Sequence, residues 1–456
     1  MRYGTPAKLV LAALLMLPLA SCATNPVTGE SELALISEAQ EIEMGRQADE
    51  EIVASMGLVE DEGLQSYVSR LGARLAERSE RPQLPWTFRV VDDPTVNAFA
   101  LPGGFIYVTR GMLSHLNSEA QLVGILGHEI GHVTARHSVN QMSRAQLANL
   151  GLGIGMILAP ERLQPLGQVA GAGLQLLFLS FSRDDERQSD ELGVEYMTQL
   201  GYDPSELAGV FEMLGRLGEQ SGGGVPTWAS THPAPEDRQE RILAMAESHP
   251  QAERVARPEY LRTVEGLKFG ADPREGFFQD GVFHHPELRF RMDMPSGWRG
   301  VNTRNAVQAV SENQRAVIVL TLAEEGSPRS ALSAFESQEG VTVTGAEERT
   351  VNGIPAVLAS FQAATEQGEV RGAIMFPELE GRVYAIYGYS SASDWSGFQG
   401  DVTRSITSFQ RERDQSVLAV QPNYLEVVDV PPGMSFEEFT RRYPSAVPES
   451  TVALIN

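Results

Sequence analysis

The chain has 456 residues, room for two or three domains, and its 42% hydrophobic and 21% charged residues are an ordinary folded composition. A formal net charge of −24 argues against a nucleic-acid binder, because phosphates would be repelled. The single cysteine, Cys22, excludes an intramolecular disulfide.

The first residues are basic at Arg2 and Lys8, then apolar from Leu9 to Leu19, a run too short to span a bilayer. Leu19-Ala20-Ser21-Cys22 follows and resembles the lipobox of a bacterial lipoprotein signal peptide. That resemblance implies removal of residues 1–21 and lipidation of Cys22, with several acyl chains holding the protein at a membrane. Ala23 stands where an aspartate would favour the inner membrane, which points to the periplasmic side of the outer membrane of a Gram-negative bacterium. The competing reading is a free thiol behind an ordinary signal peptide. Residues 22–34 are expected to be a tether rich in turn formers.

From Ser37 to about Glu80 the spacing is helical, through Ile42, Gly45, Ala48 and Ile52, then Leu64, Val68, Leu71 and Leu75. Residues 81–85 (RPQLP) break the pattern, and Trp86 to Val91 alternates as a strand. Residues 97–108 (NAFALPGGFIYV) read as two strands around a Pro-Gly-Gly turn. If the strand lies at an edge, Asn97, Ala98 and Phe99 could dock an extended peptide by main-chain hydrogen bonds. An ordinary hairpin packed on the core fits the residues equally well.

Residues 118–137 (SEAQLVGILGHEIGHVTARH) hold the strongest signal. Ser118 and Gln121 are placed for a capping box, and Leu122, Ile125, Leu126, Ile130 and Val133 make one buried face. Within the helix, His128-Glu129-Ile130-Gly131-His132 is an H-E-x-x-H pattern. Residues four apart share a face, so His128 and His132 can hold one Zn²⁺ between them. Glu129 then lies where a carboxylate can take a proton from water. Gly131 costs helix stability of roughly 1 kcal/mol and so implies the close approach of a backbone or a substrate.

Residues 148–180 are apolar but interrupted by Pro160 and Pro165, leaving pieces too short to span a membrane. Buried helices or a loop covering a cleft are expected. The following stretch, FSRDDERQSDELG, spaces Glu186 and Asp190 one helical turn apart. A Glu can be a third zinc ligand, and an Asp one turn on can orient a ligand histidine; a solvated acidic face gives the same spacing. His232 lies in a Thr-His-Pro loop. His115, His249, His284 and His285 read as structural or exposed. So does His137, which a continuous helix would rotate about 140° away from His132.

After residue 260 the texture changes. Strands are expected at 288–295, 315–323, 354–364, 368–376 and 382–390, helices at 327–338 and 396–410, and a tight turn at Asn352-Gly353. A strand at LEVVDV and a helix from Ser435 to Tyr443 complete a small unit over 417–456.

With HEIGH, the Glu186-Asp190 pair and Thr-His-Pro in hand, residues 26–250 resemble the BepA-like zinc metallopeptidases, bacterial periplasmic relatives of the HtpX and CAAX prenyl protease families. The blocks NPVTGE, NAFALPGGFIYVTRGML, HEIGHVTARH, ERQSDELG and THPAPEDR occur in order. The resemblance implies a gluzincin-type site with His128, His132 and Glu186 on one zinc per chain, Glu129 as general base and Asp190 orienting a histidine. His232 would cap the metal or help bind the reacting carbonyl, and Arg238 would face the substrate. No tetratricopeptide pattern follows; residues 275–410 are weakly similar to a PsbP or Mog-type α+β fold and the tail to a LysM-like unit.

The expected fold is therefore α+β. It comprises a mainly helical peptidase domain over 35–260 with a small edge-exposed sheet, a separate α+β domain at 275–410 and a small C-terminal unit. The expected function is lipid-anchored endoproteolysis of unfolded or misfolded envelope and outer-membrane proteins. Residues 275–456 would contact outer-membrane assembly machinery or peptidoglycan. The alternative is a lipid-anchored, chaperone-like or binding protein whose proteolysis is latent or secondary.

Overall fold

The computed structural model describes residues 22–33, 35–152, 176, 179–220, 227–232, 237–365 and 368–456. The signal-peptide expectation and most of the 148–180 stretch lie outside them. The chain folds as two units, one of the described residues up to Gly270 together with Tyr424–Asn456, the other Ala271–Asn423.

In the first unit, β1 (Cys22–Thr24) and β2 (Ser31–Leu33) form an antiparallel hairpin that pairs Cys22 with Leu33. Asn140 donates to Glu32 at 2.6 Å and fastens the hairpin to the helix carrying Asn140. The stretch expected as a tether is thus folded onto the domain. Helix α1 (Glu38–Met56) opens with a capping box between Ser37 and Gln40. Helix α2 (Glu62–Ala76) opens on Asp61, and buries Leu64, Val68, Leu71 and Leu75 at the expected helical spacing.

A three-stranded sheet follows: β3 (Thr87–Val91), β4 (Ala98–Leu101) and β5 (Phe105–Thr109). β5 is central, parallel to β3 and antiparallel to β4, so β4 is an edge. Gly103 and Gly104 turn the hairpin at φ 82° and 103°, a region glycine enters without strain. A side chain on Gly103 would meet Cα of Ile42 at 2.6 Å. Buried Glu41 accepts the Gly103 N–H at 3.2 Å and is itself paired with Arg81 and Arg136. This ionic knot pins the edge strand to α1.

Next come α3 (Arg110–Leu113), α4 (Glu119–Thr134) and α5 (His137–Leu152). They are followed by α6 (Arg183–Gln199), α7 (Ser205–Gln220), α8 (Thr227–Thr231), α9 (Arg238–Glu247) and α10 (Arg257–Val264). Helix α4 is central, with Leu122, Ile125, Leu126 and Ile130 fully buried. Only half of the expected capping box forms: Ser118 Oγ accepts from the Gln121 N–H, while Gln121 Oε1 accepts from Asn117 instead of Ser118. The helix stops at Thr134, and Arg136 takes a left-handed φ of 59°, so that His137 begins a new helix. The continuous helix assumed for His137 is thereby corrected.

The second unit is β-rich. A short strand in the first unit, β6 (Lys268–Phe269), precedes it. Strands β7 (Phe277–Gln279), β8 (Val282–His285) and β9 (Phe290–Asp293) belong to a small sheet. The main sheet has seven antiparallel strands: β10 (Arg299–Asn302), β11 (Ala306–Val310), β12 (Ala316–Leu322), β13 (Val341–Val351), β14 (Ile354–Thr365), β15 (Gly368–Leu379) and β16 (Arg382–Ser391). Their order is β10-β11-β12-β16-β15-β14-β13. Helices α11 (Pro328–Glu336) and α12 (Trp395–Thr407) accompany it. Asn352 and Gly353, at φ 51° and 81°, make the tight β13–β14 turn. Strand β13 escaped the sequence reading because it is a mostly exposed edge interrupted by a bulge between Thr344 and Glu347.

The expected separate unit over 417–456 does not stand alone. From Tyr424 the chain rejoins the first unit: Gly266 and Leu425, then Leu425 and Leu267, exchange main-chain bonds of 2.9 Å. Leu454 enters the peptidase core. LEVVDV is not a strand. Val427 and Val430 are exposed, and the Val427 N–H is satisfied by the Glu265 carboxylate at 2.7 Å.

Candidate metal centre

The centre is built where α4 and α6 touch. Their approach depends on glycine. A Cβ on Gly131 would lie 3.1 Å from Cα of Ser189, and one on Gly193 would lie 3.0 Å from the His128 amide nitrogen. The close approach inferred from Gly131 is therefore made by a second helix backbone. Helix α6 is started by a capping box between Ser182 and Asp185, which sets the phase of Glu186 and Asp190. Both carboxylates point at α4.

His128, His132, Glu186 and His232 each offer one atom, all within 4.8 Å of one another, and all four residues are buried. The two Nε2 atoms of His128 and His132 are 3.0 Å apart. Glu186 oxygens lie 3.5 Å from each of them. Asp190 accepts from Nδ1 of His128 at 3.0 Å, so His128 turns an unprotonated Nε2 toward the cluster. Nitrogen lone pairs and a carboxylate converging in a buried site repel one another unless positive charge lies among them, which a metal cation would supply. The donor set of two imidazoles and one carboxylate suits zinc.

Electrostatics agree. Burial would raise the Glu186 pKa, but His232, His128 and Arg238 outweigh it and hold the carboxyl below its usual range. Asp190 is lowered for the same reason: Arg238 and His128 overcome its burial. Burial, with the other histidines adding to it, drives His132 well below the ordinary imidazole value. His232 goes the other way, raised against its burial by Glu129 and Glu186.

Glu129 lies beside the cluster, with Oε1 taking the Trp228 indole N–H at 3.2 Å and Oε2 buried without a hydrogen-bond partner among the described residues. His232 Nδ1 is 2.9 Å from Glu186 and 3.3 Å from His128 Nε2. Trp228 and His232 are four residues apart, stacked at 4.9 Å, and reach the centre from α8 and its end. Phe181 covers the other side, its ring 4.0 Å from that of His132, and its N–H bonds Thr231. Arg238, expected to face substrate, is 1% exposed and engaged inward. It bonds Asp190 twice at 2.7 Å, meets Glu186 at 2.8 Å and lies over Phe211.

Edge strand β4 runs beside α4. Ala98 and Phe99 are buried, with Phe99 stacked on Tyr107 at 4.8 Å, so neither side chain is presented to a ligand along the strand. Asn97 precedes the strand, its side-chain oxygen buried and without a hydrogen-bond partner among the described residues. A narrow cleft lined by Ala100, Leu101, Pro102, His132 and Val139 separates strand from helix.

Two residues passed over in the sequence stand at the site. Trp228 touches Glu129; its spacing to His232 was a visible signal. His137 lies 3.0 Å from His132, and no Gly or Asn at Arg136 announced the turn that puts it there.

Residues 62–246 match Peptidase family M48. The chain is 26% identical over 310 residues to the beta-barrel assembly-enhancing protease of Escherichia coli K12, covering 64% of this chain and 61% of that protein. It is 34% identical over 177 residues to the mitochondrial metalloendopeptidase OMA1 of Schizosaccharomyces pombe, covering 39% of this chain and 51% of that one. The solution structure of cyanobacterial PsbP from Synechocystis, 13% identical, covers 28% of this chain and 91% of its own at a TM-score of 0.25, too low to assign a fold. The chain spans about three fifths of the length of the first relative. The stretch matched by Peptidase family M48, residues 62–246, contains every residue of the buried cluster.

Proposed function

We propose that this protein is a zinc-dependent endopeptidase of gluzincin type, anchored by lipid on Cys22 to the periplasmic side of the outer membrane. Its substrates are unfolded or misfolded envelope proteins. The observation that carries the reading is the buried convergence of His128, His132 and Glu186 with Glu129 at its side.

A zinc ion held by His128, His132 and Glu186 would polarise a scissile carbonyl and acidify water there. Glu129 takes the proton and delivers it to the leaving amine. Asp190 holds His128 in its ligating tautomer, and Arg238 holds Asp190 and the second oxygen of Glu186. The edge at Asn97–Phe99 binds substrate as an added strand. That favours unfolded chains, since folded proteins seldom present a free strand. The relative named for beta-barrel assembly supports outer-membrane proteins as the substrate class. Contact of Ala271–Asn423 with assembly machinery or peptidoglycan is part of the same proposal. Among the described residues no helix is long and apolar enough to cross a membrane.

One observation favours a second reading, in which proteolysis is latent. His232 occupies the cluster and Trp228 holds Glu129, so the centre shown is closed.

The test is zinc content and cleavage of unfolded casein by the chain starting at Ala23, beside Glu129→Gln. Zinc in both with cleavage only by the parent supports the proposal. No zinc in either overturns it. Zinc in both without cleavage supports the latent reading.

A further inference from the structure

Each ligand histidine has a second nitrogen, and the two are treated differently. His128 meets the carboxylate of Asp190. Nδ1 of His132 lies 3.0 Å from Nδ1 of His137. Beyond it, His137 Nε2 is 2.9 Å from Gln188 Oε1 and 3.6 Å from Asp185 Oδ1. Both of those oxygens can only accept, so the proton of neutral His137 sits on Nε2 and its Nδ1 is a lone pair. A single proton must then lie between the two Nδ1 atoms, and it belongs to His132. That leaves Nε2 of His132 bare, turned toward His128 and Glu186. If Gln188 presented its NH₂ instead, the order would reverse, and His132 would carry its proton on the nitrogen that must bind metal.

We propose that His137 is the positioning residue of His132, fixing its ligating tautomer through a relay that ends on Gln188. The left-handed turn at Arg136 makes the contact possible, since it swings His137 back against α4. The Phe181 ring lies 4.0 Å from that of His132 and 6.1 Å from that of His137, beside the relay. Ser189 Oγ, 3.4 Å from His137 Nδ1, is a weaker neighbour of the same atom. One metal ligand is thus backed by an anion and the other by a neutral imidazole, which limits the negative charge buried around the centre.

This inference rests on reading His128, His132 and Glu186 as a metal centre. The test is Zn²⁺ affinity of the full chain, measured by competition with a chromophoric chelator, together with the visible spectrum of the Co²⁺ form. His137→Phe removes the acceptor and weakens zinc binding about 10–100-fold. His137→Asn restores an oxygen near the lost Nδ1 and stays within about threefold of the parent, with the parent's cobalt spectrum, where a merely packed ring would not be rescued. Gln188→Leu leaves the relay without its terminus and weakens zinc about tenfold; it decides the matter if His137→Phe does not fold. Circular dichroism of the metal-free proteins checks folding. Parent-like zinc affinity in folded His137→Phe or in Gln188→Leu overturns the proposal, as does an Asn variant as weak as the Phe variant. A parent that binds neither metal removes the metal-centre reading itself, a separate failure.

Discussion

The indole N–H of Trp228 is bonded to Oε1 of Glu129 across 3.2 Å, so the residue proposed as general base is held by the short helix α8. A hydrogen bond to a charged group contributes roughly 1.5–3 kcal/mol. Trp228→Phe keeps a ring against His232 and removes the donor. The expected outcome is casein cleavage raised about tenfold or more, at unchanged zinc content, because α8 is held less firmly. Unchanged or lower cleavage with full zinc would show that Trp228 does not restrain Glu129.

His232 completes the buried cluster 2.9 Å from Glu186. His232→Ala is expected to raise basal cleavage of an unfolded protein severalfold and to weaken zinc modestly, one donor of the set being lost. Peptide hydrolysis and chelator competition check the two effects separately. Lost activity with no gain at any salt or temperature would assign His232 to the reaction instead of to its restraint.

Gly131 faces Ser189 so closely that a larger side chain must part the helices. Gly131→Val is expected to destabilise the chain by about 1–3 kcal/mol through overpacking, and to lower zinc affinity as Glu186 is carried away from the histidines. Thermal unfolding and metal titration read these together. A variant with normal zinc affinity would mean that helix spacing does not set the ligand geometry.

In the second unit, burial pushes His285 down to about 4. Its Nδ1 accepts the Leu288 N–H at 3.2 Å, a bond that a protonated ring cannot accept. A folded pKa below the unfolded value of about 6.5 means that the unfolded chain takes up the proton first. The contribution is therefore full above pH 6.5 and lost as pH falls toward 4, up to about 3 kcal/mol. His285→Gln should flatten the fall in Tm between pH 7 and pH 4.5. An equally steep fall in the variant would place the acid sensitivity elsewhere.

The local chemistry of the centre was legible because helix periodicity is local. His128 and His132 share a face by spacing alone, and so do Glu186 and Asp190. What spacing cannot give is which element meets which. Arg238 reads as a substrate contact by likeness, yet it is turned inward onto Asp190 and Glu186, a pairing fixed by how α6 and α9 pack. His137 was hidden by a left-handed residue that is neither Gly nor Asn. In the second unit the buried strands β12, β14, β15 and β16 announced themselves by apolar pattern, while exposed β13 did not. The return of the tail to the first unit has no local signature at all.

That return bears on how the protein is made. Leu454 lies in the same core as Leu122 and Ile125 of α4, so the peptidase core is closed by residues synthesised after the whole of Ala271–Asn423. On the ribosome the second unit can fold while the first still lacks its final piece. A chain stopped at Gly270 would carry every proposed zinc ligand and still leave an open core, whereas a chain in which 271–423 is excised and its ends rejoined keeps that piece. Of the two shortened forms, the excision and not the truncation is the one expected to fold, and completion of the core would double as a check that synthesis has passed residue 454 before the centre settles.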